Sequence, residues 1–141
     1  MLFLGTGAAE LAPNPLCPCE RCARLRAEGA LPRKRSAFLL DACNIVDFGP
    51  DVLAASQQYS APLYDLDNLF LTHTHEDHLS YTNVEVLTMT PERTKPLNVY
   101  LSERGKAHVR RYFEAMRTID PAGCGTEHLV HTRRVVFRSV T

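Results

Sequence analysis

Three of the six histidines in this 141-residue chain fall within His73–His78, directly behind the apolar run Asn68-Leu69-Phe70-Leu71. The run is short and bulky enough for a buried strand. The segment behind it reads Thr72-His73-Thr74-His75-Glu76-Asp77-His78. In extended backbone His73 and His75 project to the same side, so both imidazoles can address one metal ion. Asp77 and His78 lie where the chain turns towards the next element and can approach a second ion. Neutral imidazole and carboxylate suit zinc, manganese or iron. Two ions about 3.5–4 Å apart acidify a bridging water and clamp the attacked group. A His-rich surface loop is the competing reading, and it leaves the placement at a strand end unexplained.

Cysteine supplies the second cluster. Cys17-Pro18-Cys19-Glu20-Arg21-Cys22 has C-x-C-x2-C spacing, which lets three thiolates wrap one ion as a loop enters a helix. Five cysteines without a leader sequence read as metal binding, not as a disulfide framework. A structural zinc takes four ligands. Cys43, Cys124, His128 and His131 are candidates for the fourth, as is a residue outside the chain. Unliganded, reduced thiols are the alternative.

The remaining sequence reads as an α/β chain forming one domain over 1–141. Strands are expected at Leu2–Leu4, Ser36–Leu40, Asn44–Phe48, Asn68–Leu71 and Leu97–Leu101, with one or two more within Leu129–Val140. Helices are expected at about Glu20–Glu28 with Gly29 as its stop, from the cap Asp51 to Gln58, over Leu79–Met89, and from the cap Ser102 to about Arg117. The last carries Val109, Tyr112, Phe113 and Met116 on one face. Gly5-Thr6-Gly7 reads as a tight strand exit needing positive φ, and Pro121–Gly125 as a turn. Arg33-Lys34-Arg35 reads as a solvated basic loop. Asp47, at a strand end, is a candidate to orient a ligand histidine. His108 reads as a surface residue. In an extended segment His128 and His131 point to opposite faces.

Lys and Arg total 16 against 16 Asp and Glu. That balance argues against an electrostatic nucleic-acid binder or a polybasic membrane anchor. The N-terminal apolar run stops at Gly5, too short for a signal core or a membrane span. The expected compartment is the cytoplasm.

His73-x-His75-x-Asp77-His78 behind a strand resembles the signature of the metallo-β-lactamase superfamily. Leu4-Gly5-Thr6-Gly7-Ala8 and Val46-Asp47-Phe48-Gly49-Pro50 add to the resemblance, which covers about residues 1–101. It implies an αβ/βα sandwich and a metal-dependent hydrolase. The cysteine cluster is similar to the branch containing the phosphodiesterase of the carbon–phosphorus lyase pathway, which carries an extra structural zinc. The expected activity is therefore phosphodiester hydrolysis at a dinuclear zinc or manganese site. His73 and His75 would hold one ion and Asp77 and His78 the other, with Asp77 and His78 at the catalytic centre and Cys17, Cys19 and Cys22 on a structural zinc. The substrate would be a small phosphodiester, and an RNA end stays open.

The resemblance also implies another histidine, a bridging aspartate and a final histidine from a second half of the fold. The chain then reads as the N-terminal half, completed by a C-terminal half or a second copy. Two rival readings stand beside it: a non-catalytic zinc-binding module or inactive fragment, and a protein related to pyrroloquinoline-quinone biosynthesis.

Overall fold

The computed structural model describes residues 1–119 and 135–140. In chain order the elements are β1 (Leu2–Gly5), α1 (Glu20–Ala27), β2 (Ala37–Asp41), β3 (Asn44–Val46), α2 (Val52–Gln58), β4 (Asn68–Phe70), α3 (Tyr81–Met89), β5 (Leu97–Ser102), α4 (Glu103–Ile119) and β6 (Val135–Val140). Each described element expected from the sequence forms close to its expected bounds. The expected turn at 121–125, together with Cys124, His128 and His131, lies outside the described residues, as does the part of the last expected strand segment before Val135.

The six strands form one sheet in chain order, β1-β2-β3-β4-β5-β6. The pairs β1/β2 and β2/β3 are antiparallel. From β3 to β6 all pairs are parallel. Helices α2 and α3 are the crossovers that parallel strands require. The carboxyl ends of β3, β4 and β5 consequently lie along one sheet edge, where open α/β sheets place their ligands.

One sheet face carries the core. Leu4, Leu39, Ile45, Leu69, Leu97, Val99 and Leu101 alternate along their strands and bury against Val52 and Ala55 of α2, Val84 and Leu87 of α3 and Val109 of α4. The opposite face reads Phe3–Phe38–Val46–Phe70–Tyr100–Arg138 in one register row across all six strands. Within it Phe3 stacks on Phe38 at 4.5 Å and Phe70 on Tyr100 at 4.9 Å. Phe3 is 64% exposed, Phe38, Val46, Phe70 and Tyr100 are half-buried, and Arg138 is exposed.

A neighbouring row is polar and directional. Arg138 Nε donates to Asn98 Oδ1, Asn98 Nδ2 to Asn68 Oδ1, Asn68 Nδ2 to Asn44 Oδ1, and Asn44 Nδ2 to Asp41. This chain runs from a cation to a carboxylate and holds the strands in register. The Asn44 amide and the Cys43 backbone N–H hold the Asp41 carboxyl below its ordinary value.

Three local details depart from the sequence reading. Gly5 and Gly7 are absent from the positive-φ positions. Gly5 is needed for close approach, because a Cβ there would lie 2.0 Å from the Arg35 carbonyl oxygen. Asp51 stands at the N-cap of α2 without capping it. Its carboxylate instead accepts from the backbone N–H and guanidinium of Arg35. The basic run is therefore partly structural: Arg35 also donates to Ala9 O, and Lys34 to Gln58. Gly29 behaves as expected, at φ 65°, closing α1 with Ala30 N–H on Leu25 O and Gly29 N–H on Arg26 O.

Candidate metal centre

The histidine loop leaves β4 after Phe70 and is fixed at both ends by backbone bonds. Leu71 N–H donates to Tyr100 O, and His78 and Leu79 N–H both donate to His75 O, curling the segment into a turn. Phe48 N–H donates to His78 O and Ser80 N–H returns to Phe48 O, which sews the loop to the extension of β3. Gly49 makes that seam possible, because a Cβ there would meet the Asp77 carbonyl oxygen at 2.1 Å. Ser80 then caps α3 by accepting from Asn83 N–H, and the Asn83 amide holds the Gly49 carbonyl.

His73, Asp77 and His78 each bring a donor atom within 4.8 Å of the others. The His75 ring packs edge-on against that of His73 at 4.7 Å, and the His78 ring lies 4.0 Å from His73. All four residues singled out in the sequence thus gather in one place. The tightest grouping joins His73 to Asp77 and His78, with His75 alongside. Two nitrogens and a carboxylate form a donor set suited to zinc or manganese, so these residues fit such an ion.

Asp47 organises the set from beneath. It is 3% exposed, with φ 60°, a conformation aspartate tolerates better than most residues. Its carboxylate accepts from Thr72 N–H at 2.9 Å, from Thr72 Oγ1 at 2.9 Å and from His78 Nδ1 at 2.7 Å. A carboxylate only accepts, so His78 donates to Asp47 through Nδ1. The Thr72 hydroxyl, having donated to Asp47, is free to accept from His73 Nδ1 at 3.1 Å. With Nδ1 of each ring so engaged, Nε2 is the nitrogen that His73 and His78 would offer to a metal. Asp77 Oδ2 lies 3.2 Å from His78 Nε2. The sequence had nominated Asp47 for this position. Thr72 it had not, although a hydroxyl at the mouth of the strand was a usable signal.

A cavity of about 480 Å³ opens beside the loop. Thr72, His73, Thr74 and His75 form one wall, and Ser102 at the end of β5 with Arg104, Gly105 and His108 from the start of α4 form the other. His108 is exposed as expected, yet it faces the same space as the histidine loop. The parallel topology provided the missing signal: the helix after β5 starts beside the carboxyl end of β4.

The cysteines form a separate site. One sulfur from each of Cys17, Cys19 and Cys22 lies within 4.8 Å of the others, with Cys19 at the N-cap of α1. Arg26 clasps the loop by donating to Asn14 O and Cys17 O. The Cys22 backbone N–H and hydrogen bonds with the Cys17 and Cys22 side chains bring Cys19 down to about 7. For Cys17 the Cys19 backbone N–H pulls downward, but the hydrogen bond to the Cys19 sulfur and desolvation leave it raised. Cys43 sits in the β2–β3 turn and does not join the cluster among the described residues.

No protein-family model and no curated protein matches the sequence. Solved structures do. A diphosphatase of the PhnP family superposes on 99% of this chain with a TM-score of 0.69 at 20% identity. Human tRNase Z, short form, covers 82% with a TM-score of 0.49 at 22% identity. The chain spans 49% of the diphosphatase's length. The architecture is that of the metallo-β-lactamase fold.

Proposed function

We propose that the chain is the metal-binding half of a metal-dependent hydrolase that cleaves small phosphodiesters. His73 and His75 would hold one divalent ion and Asp77 and His78 a second, zinc or manganese, while Cys17, Cys19 and Cys22 would hold a structural zinc. One observation carries the metal centre: His73, Asp77 and His78 converge within 4.8 Å at the end of a parallel strand, with the His75 ring against His73 and the buried carboxylate of Asp47 bracing His78; the division between two ions is our own reading. The likeness to a diphosphatase supports hydrolysis as the reaction class.

Ions bound there would supply an activated water and Lewis-acid stabilisation of phosphoryl oxygens. The protein's own contribution is orientation. Asp47 and Thr72 engage Nδ1 of His78 and of His73, and the Gly49 seam holds Asp77 against the extension of β3. A second half of the fold, or a second copy of the chain, would complete the ligand set. Among the described residues no helix is long and apolar enough to cross a membrane. The four described cysteines are free thiols, which favours a reducing compartment such as the cytoplasm.

Metal content per chain, measured by mass spectrometry on wild type, His73→Ala and Cys22→Ser, tests the reading. The expected pattern is one zinc lost with Cys22→Ser and a separate loss with His73→Ala. Hydrolysis of bis(p-nitrophenyl) phosphate is expected once the second half is supplied. About one zinc per chain, unaffected by His73→Ala, would leave a non-catalytic zinc module as the function.

A further inference from the structure

The proposed reaction assigns metal ligands but leaves the facing wall of the cavity without a role. That wall is the end of β5 at Ser102 and the first two turns of α4. Gly105 is buried, and a Cβ there would lie 3.3 Å from Thr74 Cγ2, so the helix start closes directly on the loop between His73 and His75. Ser102 Oγ accepts from Gly105 N–H at 3.1 Å. Arg104 and His108 are four residues apart, hence on one helix face, and both border the cavity.

The charge of this lining decides what it suits. It contains three histidines, hydroxyls from Thr72, Thr74 and Ser102, and the guanidinium of Arg104. Among the described residues no carboxylate borders it, and Glu103 in the first turn of α4 is exposed and lies outside the lining. The positive end of a 17-residue helix faces the same space. A planar guanidinium, hydroxyl donors and a helix N-terminus around one cavity match a tetrahedral oxyanion.

We propose that Arg104 and His108 form a phosphoryl clamp, holding the non-bridging oxygens of a phosphodiester against the histidine loop. The substrate identity rests on the hydrolase reading, whereas the anion site stands on the cavity alone. Arg104 acts as the charged fork and His108 as a second hydrogen-bond partner one turn further along. Both are exposed, so substituting them leaves the core intact.

The test is calorimetric titration of the full chain, EDTA-treated and zinc-loaded, with inorganic phosphate, dimethyl phosphate and acetate. The EDTA-treated wild type is expected to bind both phosphates in preference to acetate. Arg104→Gln should weaken that binding about tenfold, the scale of one lost charge-assisted bond. Arg104→Lys should recover part of it, and His108→Ala should weaken it severalfold with zinc content unchanged. Dimethyl phosphate binding as well as inorganic phosphate identifies a diester site, and preference for inorganic phosphate identifies a site for a terminal phosphoryl group, such as that of the monoester product, with the same clamp. Equal affinity in wild type and Arg104→Gln overturns the clamp, as does a lower zinc content in His108→Ala, which would make His108 a ligand. Arg104-dependent phosphate binding with no diester hydrolysis in the completed protein preserves the clamp and removes the hydrolase reading. Hydrolysis with phosphate binding indifferent to Arg104 does the reverse.

Discussion

The buried carboxylate of Asp47 lies 2.7 Å from Nδ1 of His78, although 31 positions separate them in sequence. The contact exists because β3 and β4 are parallel neighbours and both release their chains at the same sheet edge. Asp47→Asn tests its importance. The amide keeps the size and tolerates φ 60°, but it presents one carbonyl oxygen where the carboxylate serves His78 and both Thr72 donors. The expected result is a folded protein whose loop binds zinc about 10- to 100-fold more weakly. Competition against a chromophoric chelator, with circular dichroism as the folding control, reads it. Unchanged affinity would show that the histidines are oriented without Asp47.

Gly49 is the second point where backbone contact sets the site. Its α-carbon faces the Asp77 carbonyl so closely that Gly49→Ala forces the loop away from β3. Backbone cannot yield as a flexible side chain does, so the cost should reach about 3 kcal/mol, the upper end for overpacking. Gly29→Ala is the informative comparison. Nothing lies within 4 Å of that position, but φ is 65°, so its penalty is conformational, about 1–2 kcal/mol. Urea unfolding should rank Gly49→Ala as the worse of the two. Zinc affinity at the histidine loop should fall only for Gly49→Ala, because α1 is far from that seam in the topology.

How much of this was legible in advance depended on whether the information was local. The histidine and cysteine clusters declare themselves by spacing, because their ligands come from one turn of chain each. Helix α1 was marked by Gly29, two residues beyond its last residue, whereas the cap of α3, Ser80, emerged only with the structure. Non-local information was not readable in this way. Gly5 and Gly49 look like ordinary turn glycines until Arg35 and Asp77 are placed against them. Asp51 looked like a helix cap, but the nearby Arg35 guanidinium binds its carboxylate more strongly than a helix N–H would. His108 looked idle because periodicity reports a helix's own faces and not which loop stands across from them. The Asn44–Asn68–Asn98 ladder needed the strand register, which no single segment contains.

The row Phe3–Phe38–Val46–Phe70–Tyr100 lies on the sheet face turned away from the helices, with Phe3 largely exposed. A soluble monomer seldom presents so much contiguous apolar surface, and in a sandwich this face packs against a second sheet. The expected behaviour of the chain alone is concentration-dependent association in sedimentation velocity, together with enhanced ANS fluorescence. Phe38→Thr combined with Phe70→Thr keeps strand-compatible residues and should suppress both signals while preserving far-UV circular dichroism. A wild-type chain that stays monomeric at high micromolar concentration and ignores ANS would show that the face is already covered.

Tyr81, the first residue of α3, joins α3 to α4. Its ring stacks on Tyr112 of α4 at 4.0 Å and 4°, and its phenol is pushed up to about 12. Burial is the main cause, followed by the nearby Tyr112 and by Glu76 in the histidine loop. The folded state therefore holds this proton more tightly than the unfolded chain, where the ordinary value is 10.0. Its contribution to stability is complete below about pH 10 and is lost as pH rises from there to about 12. Alkaline titration followed at 295 nm should show one phenolate forming only near pH 12, with the α3–α4 contact loosening over the same range. Tyr81→Phe keeps the stacked ring and removes the ionisable group. It should abolish the late absorbance step and extend stability to higher pH. A late step that survives in Tyr81→Phe would assign the shifted phenol to another tyrosine and remove Tyr81 from the alkaline transition.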